Sequence, residues 1–545
     1  MPLVAEPRPG SFELSGPLPA SGDADWLEVA DDLLRPGTGV RLHPAGGAGA
    51  RVVLAHDPEL APEAYRIEVG DTLRISAGDV DGLRHACQTV RQLLPDAAGL
   101  PGFVPGTPMP LPGCHIEDAP RFGWRGAHVD VARHVQPLPW LFHFVDLMAL
   151  HRLNVLHLHL TDDQGWRFEV RAHPALTEVG SWRPETRDPG TDAGDGTPHG
   201  GFYTQDQLRS LVAHAASRGI TVVPEIDVPS HVRALLAAHP DLGSGPQSVA
   251  TGFGIFPQVL RLSDDALAMV TEIFTELLDV FPSRWIHVGG DEFLPDQWLA
   301  DPDGAELAAS RGVSGVGGLR RWFTLWLHGW LAERGRALVG WDEIVDDGPV
   351  PGAVVMAWRG SRHALEALEQ GNPVVLTPIE FTYLDCYQSD DEDEPLAQPG
   401  LVTWRDVARF DPASTVPEPL SPGLLGVQGQ LWTEYLHTPR EIEYMAFPRL
   451  ALLAEVGWRG RVVGGDLEGR LRAHLARLDA AGVEYRPLDG PRPWQRGGTG
   501  RRARRTWSSG SAPGVELDQL LVPGNDEPAG GAQPLTAPAA IPSMK

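Results

Sequence analysis

The sequence contains little lysine, little cysteine and no surplus of positive charge. Lys545 is the only lysine in 545 residues, so the body of the chain has no lysine side chain for chemistry. The only cysteines are Cys87, Cys114 and Cys386, and their spacing predicts neither a disulfide framework nor a zinc-binding motif. Because a formal net charge of −27 repels phosphate backbones, we expect no nucleic-acid partner.

Long apolar runs are also missing. No stretch of about 18 apolar residues could span a bilayer, so no membrane partner is expected. The first ten residues, MPLVAEPRPG, lack the basic and apolar regions of a signal peptide. A composition that is 42% hydrophobic and 21% charged excludes disorder along the whole chain. The sequence therefore predicts a folded, cytoplasmic protein, and it leaves the oligomeric state open.

The local patterns divide the chain into three regions. Residues 1–115 are predicted to form a small N-terminal α/β domain whose first residues are irregular, and residues 116–490 a larger domain. Residues 491–545 contain the basic segment RRARR followed by a run rich in Gly, Pro, Ala and Ser, for which a disordered tail is expected.

Within the N-terminal region, apolar and polar residues alternate on both sides of Gly70-Asp71, which predicts a hairpin with one buried face. A helix is expected over residues 80–94, because Pro95 cannot continue it. Residues 99–113 are dense in proline and glycine and are predicted to be a linker or an irregular crossing.

The large region alternates short apolar runs with amphipathic segments such as 205–218. Eight runs are predicted strands: 127–131, 154–160, 221–226, 284–288, 337–341, 353–357, 374–378 and 425–431. Eight buried strands alternating with helices predict a parallel (β/α)₈ TIM barrel. A doubly wound open sheet is the alternative, although no GxGxxG motif opens any of these units.

In such a barrel the reacting groups lie at the C-terminal ends of the strands. These ends carry mainly carboxylates, histidines and tryptophans: Asp130, Arg133, His134, His157, His159, Asp162, Asp163, Trp166, Glu225, Asp227, His231, His287, Asp291, Glu292, Trp341, Trp358, Tyr383, Asp385, Trp432 and Glu434. Aromatic faces suit the C–H faces of a sugar, and carboxylates accept hydrogen bonds from its hydroxyls. An acidic pair such as Asp291-Glu292 suits acid/base work on a glycosidic bond, provided that the strand has ended there.

Each of these residues alone has a structural explanation. His157 and His159 alternate with leucines, and we interpret them as histidines satisfied inside the barrel. A single tryptophan at a strand end usually packs in the core, and a single acidic pair in a loop is usually solvated. The combination at successive strand ends is what favours a sugar-processing site.

Two segments, HLTDDQGW (159–166) and HVGGDE (287–292), resemble glycoside hydrolase family 20, the β-N-acetylhexosaminidases. The resemblance spans roughly residues 60–490 and continues in APRFGWRGAHVDVARH (119–134), GGFYTQDQL (200–208), ITVVPEIDVPSH (220–231), VGWDE (339–343), TYLDCY (382–387), LWTE (431–434) and YMAFPRLALLAEVGW (444–458). It implies a small α/β domain followed by a (β/α)₈ barrel, as the strand pattern does independently.

The resemblance implies an exo-acting, retaining, substrate-assisted mechanism that releases single terminal sugars. In it Glu292 protonates the leaving oxygen and then activates water, Asp291 orients the substrate acetamide, and Tyr383 donates a hydrogen bond to the acetamide oxygen. Asp162 and His231 are implied to support Glu292 as a relay.

The resemblance also implies the walls of the pocket, and it calls for no metal or cofactor. The tryptophans that would surround the acetyl group are Trp341, Trp358 and Trp432. The residues that would hold the sugar hydroxyls are Arg133, Asp385 and Glu434. The expected partner is a small carbohydrate, an N-acetylhexosaminide.

Two features depart from the family pattern. Ser230 precedes the relay histidine where the family commonly has glycine, and because serine tolerates positive φ less well, His231 is expected to sit differently. The acidic loop QSDDEDEPLAQPG (388–400) leaves open which residue supports the next sugar.

Two other functions stay open at this stage. A metal-dependent amidohydrolase would use the pair His157-x-His159, with His231 and His287, but no lysine is available for a carbamylated bridge and the GGDE pair would have no task. A sugar-binding protein without activity could use the same barrel, although such proteins usually lose the acid/base carboxylate, and Glu292 is present.

Overall fold

A computed structural model describes residues 2–36, 38–46, 49–95, 108–187, 193–245 and 247–497. Its N-terminal part is a seven-stranded mixed sheet. In spatial order the strands are Val4–Leu14, Met109–Asp118, Tyr65–Val69, Leu73–Ala77, Val52–His56, Pro17–Ser21 and Arg41–Pro44. Two helices, Ala24–Leu34 and Val80–Leu93, accompany this sheet, and their buried side chains share one apolar core with it.

The predicted hairpin and helix of this part are present. Tyr65–Val69 pairs antiparallel with Leu73–Ala77, and alternate residues of both strands are buried. The Asp79 side chain accepts a hydrogen bond from the Gly82 amide and so caps the start of the helix.

Two expectations for this part are wrong. The start is not irregular, because Val4–Leu14 forms an edge strand of the sheet. The expected linker ends early, since Met109–Asp118 pairs with that strand although it contains two prolines. Pro110 and Pro112 point to the exposed face, while Met109 and Leu111 are buried. The rest of the expected linker, residues 99–107, and the RRARR segment lie outside the described residues.

The large region is a closed barrel of eight parallel strands. In chain order, barrel strands 1 to 8 are Trp124–Asp130, Val155–His159, Thr221–Glu225, Trp285–His287, Ala337–Trp341, Val354–Ala357, Val374–Leu376 and Leu424–Leu431. Each of the eight predicted strands is one of these, which confirms the TIM barrel. The sheet closes because strand 8 pairs with strand 1, so the open-sheet alternative is wrong.

The other helices lie between the barrel strands or after strand 8. They are Leu138–Leu150, Ala175–Glu178, Gln205–Ser217, Arg233–Ala238, Asp264–Val280, Asp296–Ala300, Pro302–Ser310, Gly315–Ala332, Ser361–Glu369, Ile379–Thr382, Trp404–Arg409, Pro412–Thr415, Pro439–Ala446, Arg449–Arg459 and Leu467–Ala480. Short 3₁₀ turns are Pro240–Leu242, Asp342–Val345 and Glu418–Gly423. Strands 5 and 6 are joined by the turn Asp342–Val345 rather than by a helix, so one unit of the ideal (β/α)₈ pattern is shortened.

Three pairs of very short strands extend the loops: Thr161–Asp162 with Gly165–Trp166, Trp182–Arg183 with His199–Gly200, and Cys386–Tyr387 with Gln398–Leu401. None of the helices in the described ranges combines the length and the apolar character needed to cross a membrane.

The barrel and the N-terminal sheet are held together by a buried contact. Trp458 of the helix Arg449–Arg459 packs in the N-terminal core, with its ring 4.9 Å from that of His85. Beside it the Arg125 guanidinium of strand 1 lies 2.5 Å from the carboxylate of Glu63. The barrel mouth, at the opposite ends of the strands, is left open for chemistry.

Candidate active site

All eleven residues predicted for the site lie at or after the C-terminal ends of the barrel strands. In order of strands 1 to 8 they are Arg133; Asp162; His231; Asp291 and Glu292; Trp341; Trp358; Tyr383 and Asp385; and Trp432 and Glu434. The chain segments that carry them are far apart in sequence, and barrel closure brings them to one face.

The loop after strand 4 depends on two glycines. Gly289 and Gly290 have φ values of +68° and +92°, which favour glycine. A Cβ atom at Gly289 would lie 1.8 Å from a carboxylate oxygen of Asp227, so no other residue fits there without a shift of the loop. The glycines thus let the chain leave strand 4 directly against the end of strand 3.

Hydrogen bonds hold this loop on both sides. The Gly290 amide donates to Asp227 at 3.2 Å, and the Trp341 amide donates to the Gly289 carbonyl at 3.0 Å. The Ser230 hydroxyl donates to the Asp291 carbonyl at 2.6 Å. Because the strand has already ended, Asp291 and Glu292 are free of strand alternation and face the same histidine.

That histidine is His231. Its Nε2 atom lies 3.5 Å from a carboxylate oxygen of Glu292 and 3.8 Å from one of Asp291. Its Nδ1 atom lies 3.1 Å from Asp163 and 3.4 Å from Asp162. Two aspartates thus contact His231, and Asp163, for which no role was predicted from the sequence, is the nearer one.

The sequence predicts backbone strain from positive φ at Ser230, but Ser230 does not have a positive φ. Positive φ occurs at His231 itself (+53°) and at Glu292 (+50°). Both residues are in the left-handed region that side chains rarely adopt, and such strain persists only where surrounding contacts hold it. Here the contacts between residues 230–231 and 291–292 hold it.

Burial and neighbouring charges shift the pKa values of His231, Asp291 and Asp227. Burial alone would lower the pKa of His231, but the adjacent Asp162 and Asp163 outweigh it and raise the pKa well above its usual value. Burial raises the pKa of Asp291, with the charge of Glu292 adding to the effect. Burial and the charge of Asp291 raise the pKa of Asp227 well above its ordinary value.

Glu225 is buried inside the barrel and contacts several side chains below the site. One carboxylate oxygen lies 3.1 Å from His157 and 2.5 Å from His159, and the other lies 2.8 Å from His287 and accepts a hydrogen bond from the Trp341 indole. His157 and His159 thus have partners inside the barrel, as interpreted from the sequence. Burial, then His287, lowers the pKa of His157 to about 4.

Three sets of side chains in the described part of the chain lie close enough together to share a metal ion. They are His128, His157 and Glu225; Asp162, Asp163 and His231; and Asp227, His231 and Asp291. In the second and third groups His231 carries a raised pKa and the carboxylates already contact it, so the contacts described above account for their proximity.

The predicted aromatic residues form a continuous wall. The rings of Trp341 and Trp432 lie 5.7 Å apart, and the Trp432 side chain hydrogen-bonds to Tyr383. Tyr383 stacks on Trp358 at 6.1 Å. Burial, then the charges of Asp385 and Asp291, raises the pKa of Tyr383 well above its usual value, so its phenol keeps a proton to donate.

Beside the wall lie the residues predicted to hold hydroxyl groups. Arg133 is anchored by Asp162 at 2.8 Å and lies 4.9 Å over the Trp432 ring. Asp385 is buried, yet neither of its carboxylate oxygens accepts a hydrogen bond from another described residue. Since a buried polar group without a partner is costly, Asp385 is suited to a ligand that donates hydrogen bonds.

The sequence analysis missed one further acidic residue of the site. Glu343 accepts a hydrogen bond from the Trp358 indole at 3.0 Å, and burial together with the charges of Asp342 and Asp291 raises its pKa well above the usual value. The segment VGWDE carries both acids directly after Trp341, so the signal was present in the sequence. What the sequence does not show is that strand 6 brings Trp358 back to Glu343.

Comparison with known proteins shows the family of the chain. The profile of the glycosyl hydrolase family 20 catalytic domain matches residues 122–461, and that of domain 2 of the same family matches residues 1–119. The two matches together cover most of the chain and meet where the N-terminal sheet gives way to the barrel.

Individual relatives show the same similarity. A β-hexosaminidase from Porphyromonas gingivalis is 36% identical over 425 residues, which are 77% of this chain and 53% of that protein. The chain thus spans about half the length of that relative. A β-N-acetylhexosaminidase from Cellulomonas fimi is 34% identical over 451 residues, 81% of this chain and 84% of that protein.

A solved structure extends the comparison to three dimensions. The exo-β-N-acetylglucosaminidase of Vibrio harveyi, crystallised with N-acetylglucosamine, is 30% identical with a TM-score of 0.78; the alignment covers 89% of this chain and 78% of that one. The profile matches cover more than half of the chain, and the Cellulomonas fimi relative is matched over 84% of its length. The chain belongs to glycosyl hydrolase family 20, as its sequence resemblance predicts.

Proposed function

We propose that this protein is an exo-acting, retaining β-N-acetylhexosaminidase that removes terminal N-acetyl-β-D-glucosamine by substrate-assisted catalysis. One observation carries the proposal: Asp291 and Glu292 both lie within 3.8 Å of the Nε2 atom of His231, beside a wall of tryptophans. The names of the relatives and the sugar bound to the Vibrio harveyi enzyme support the same substrate class. N-acetylgalactosamine is the second sugar to test.

In the first step the acetamide oxygen of the substrate attacks its own anomeric carbon. The bond to the leaving oxygen breaks as Glu292 donates its proton to that oxygen. A positive charge develops on the oxazolinium ring that forms, and the Asp291 carboxylate stabilises it through the acetamide nitrogen. Asp227, which interacts with Asp291 and accepts a hydrogen bond from the Gly290 amide, holds the Asp291 loop in place.

In the second step the Glu292 carboxylate takes a proton from water. The water oxygen bonds to the anomeric carbon, and the bond from that carbon to the acetamide oxygen breaks. Each step inverts the anomeric carbon once, so the product keeps the β configuration. His231 contacts Asp162 and Asp163 through its Nδ1 atom, and its raised pKa favours a positive charge near Glu292 while Glu292 exchanges its proton.

The pocket residues determine which conformer reacts. The Tyr383 phenol donates to the acetamide oxygen, and Trp341, Trp358 and Trp432 pack around the acetyl methyl group, which favours the folded conformer that is ready to attack. Asp385, which has no partner among the described side chains, accepts hydrogen bonds from the sugar hydroxyls. Arg133 and Glu434 hold the remaining hydroxyls, with the rigid guanidinium fork suited to two neighbouring groups.

The proposed substrates are chito-oligosaccharides, and the proposed location is the cytoplasm. The location is supported by the sequence, because its three cysteines are scattered and their spacing predicts no disulfide framework. Fractionation of the source cells with an antibody to the chain tests this location, and recovery of the protein outside the cytoplasm would refute it.

The activity is tested with a chromogenic N-acetyl-β-glucosaminide at neutral pH in excess EDTA. Wild type should turn over, and Glu292→Gln should lose about 10²–10⁴-fold in kcat. Activity that needs a removable metal would favour the amidohydrolase. A folded wild-type protein that binds N-acetylglucosamine but does not hydrolyse the glycoside would favour the sugar-binding protein.

A further inference from the structure

A cleft of about 500 Å³ lies on the catalytic face, outside the loops that follow strands 7 and 8. We call it the C-terminal cleft; the residues that define it are Leu396, Tyr435, Arg440, Tyr444 and Trp494. None of the residues assigned to the mechanism lines it. It combines aromatic rings with charged groups, which is the chemistry of a sugar-binding surface.

Trp494 is unusual because it is exposed but held in place. Its side chain is 62% exposed, whereas a large aromatic side chain is normally buried. The indole nitrogen donates to Glu484 at 2.9 Å, and the Arg492 guanidinium lies 5.5 Å from its ring and 4.6 Å from that of Tyr485. A ring that is already ordered loses little entropy when a ligand packs on it.

The opposite wall is also rigid. Glu394, in the acidic loop after strand 7, is buried and forms an ion pair with Arg486 at 2.6 Å. It also accepts a hydrogen bond at 2.6 Å from Tyr444, which lines the cleft. The acidic loop, to which the sequence assigned no role, thus fixes the cleft between the barrel and the chain segment that carries Trp494.

Tyr435 links the cleft to the residues of the proposed pocket. It lines the cleft and directly follows Glu434 in the sequence, and burial together with the charges of Glu434 and Asp385 raises the pKa of its phenol. Polar groups are available along the way: the Arg440 side chain is 69% exposed and uses one nitrogen on Glu484. A ligand that extends out of the pocket past Tyr435 therefore meets guanidinium donors and then the Trp494 ring.

We propose that the C-terminal cleft is a distal subsite that binds a sugar of the leaving part of a β-linked N-acetylhexosamine oligosaccharide, with Trp494 as its stacking platform. The proposal rests on the proposed function, because it concerns the same substrate class. Since an exo enzyme holds the terminal sugar in the pocket, the rest of the chain must leave it along this face. The cleft would then make longer oligosaccharides better substrates than a monosaccharide glycoside.

The experiment compares Trp494→Ala with wild type on two substrates, the chromogenic monosaccharide and the β-1,4-linked N-acetylglucosamine tetramer. We expect KM for the tetramer to rise about tenfold with kcat unchanged, the loss typical of one well-packed aromatic contact. The constants for the monosaccharide should not change. Trp494→Phe should recover part of the loss, because it keeps a ring. Trp182→Ala, at an exposed tryptophan outside the cleft, is the matched control.

A second measurement separates binding from turnover. In the Glu292→Gln background, calorimetric titration with the tetramer should give about tenfold weaker binding when Trp494→Ala is added. Equal effects of Trp494→Ala on both substrates, or no effect on the tetramer, would overturn the subsite. The subsite would also be overturned if residues after Gly497 fill the cleft and block the tetramer. If wild type hydrolyses neither substrate, the proposed function fails, but the calorimetric comparison still tests the cleft.

Discussion

The Ser230 hydroxyl donates a hydrogen bond to the Asp291 carbonyl over 2.6 Å, and it does so from a buried position. The residues that follow these two in the sequence also contact each other, because the Nε2 atom of His231 lies 3.5 Å from a carboxylate oxygen of Glu292. Residues 230–231 and 291–292 are thus joined twice, once through a backbone carbonyl and once through side chains. Ser230, which departs from the glycine common in the family, therefore adds a contact that glycine could not make.

Ser230→Ala is expected to lower kcat about fivefold with KM unchanged. The reason is that a buried hydrogen bond contributes about 1 kcal/mol, and its loss frees the peptide that sets the direction of Glu292. Steady-state kinetics on a chromogenic substrate measures this. Ser230→Thr should restore most of kcat, because it keeps the hydroxyl.

Ser210→Ala serves as the control for this prediction, since the Ser210 hydroxyl also donates to a backbone carbonyl, that of Asp206, on an outer helix. It should leave kcat unchanged. A purely structural role for Ser230 would be indicated by lower stability with unaltered kcat in Ser230→Ala.

The pH dependence should report Asp291. Its raised pKa means that the carboxylate is protonated at pH values where an ordinary aspartate is ionised, and protonated Asp291 cannot stabilise a positive oxazolinium. We therefore expect kcat/KM to rise with pH through a value above 3.8 in the free enzyme. Asp291→Asn should lose about 10²–10³-fold in kcat and lack that limb. The profile of kcat/KM against pH measures it, and an unchanged acid limb in Asp291→Asn would assign the limb to another group.

The two aspartates at His231 should be separable. Asp163 is the nearer partner of Nδ1, so Asp163→Asn should lower the pKa of His231 and reduce kcat about tenfold or more with little effect on KM. Asp162 also anchors Arg133 at 2.8 Å, so Asp162→Asn should raise KM as well. Kinetics combined with NMR titration of the histidines distinguishes them. Identical effects of the two substitutions on KM would contradict separate roles.

The contact between the two parts of the chain should make stability depend on pH. Burial alone would raise the pKa of Glu63, but His85 and Arg125 outweigh it and lower the pKa from 4.5 to about 2. This contribution is present above pH 4.5 and is lost as the pH falls toward 2. Glu63→Gln should reduce the free energy of unfolding by up to about 3 kcal/mol at neutral pH.

Denaturant unfolding measured at several pH values tests this contact, and the difference between wild type and Glu63→Gln should shrink on acidification. Glu59→Gln, at an exposed residue of the same segment, is the control and should change little. A difference that stays constant from neutral to acid pH would show that the ionised form of Glu63 contributes nothing.

Much of the fold could be predicted because the patterns are local. The period-two alternation around Gly70-Asp71 and the eight apolar runs are visible in the sequence, and strand ends carry the chemistry of a barrel by geometry alone. The strand Val4–Leu14 was missed because its alternation is weak and its residues are mostly exposed. Its partner Met109–Asp118 was missed because proline usually argues against a strand, yet both of its prolines face outward at positions that the ladder tolerates.

The sequence by itself determined the class of fold and the family, and it predicted the residues of the proposed site, since each is encoded in short segments. Only the tertiary structure decided how these residues act together. It placed Asp163 nearer than Asp162 to His231, gave positive φ to His231 and not to Ser230, and left the Asp385 carboxylate without a hydrogen-bond partner among the described residues. The reason is physical: distances between strand ends, and the burial that shifts a pKa, arise from closing the barrel, and no local pattern encodes them.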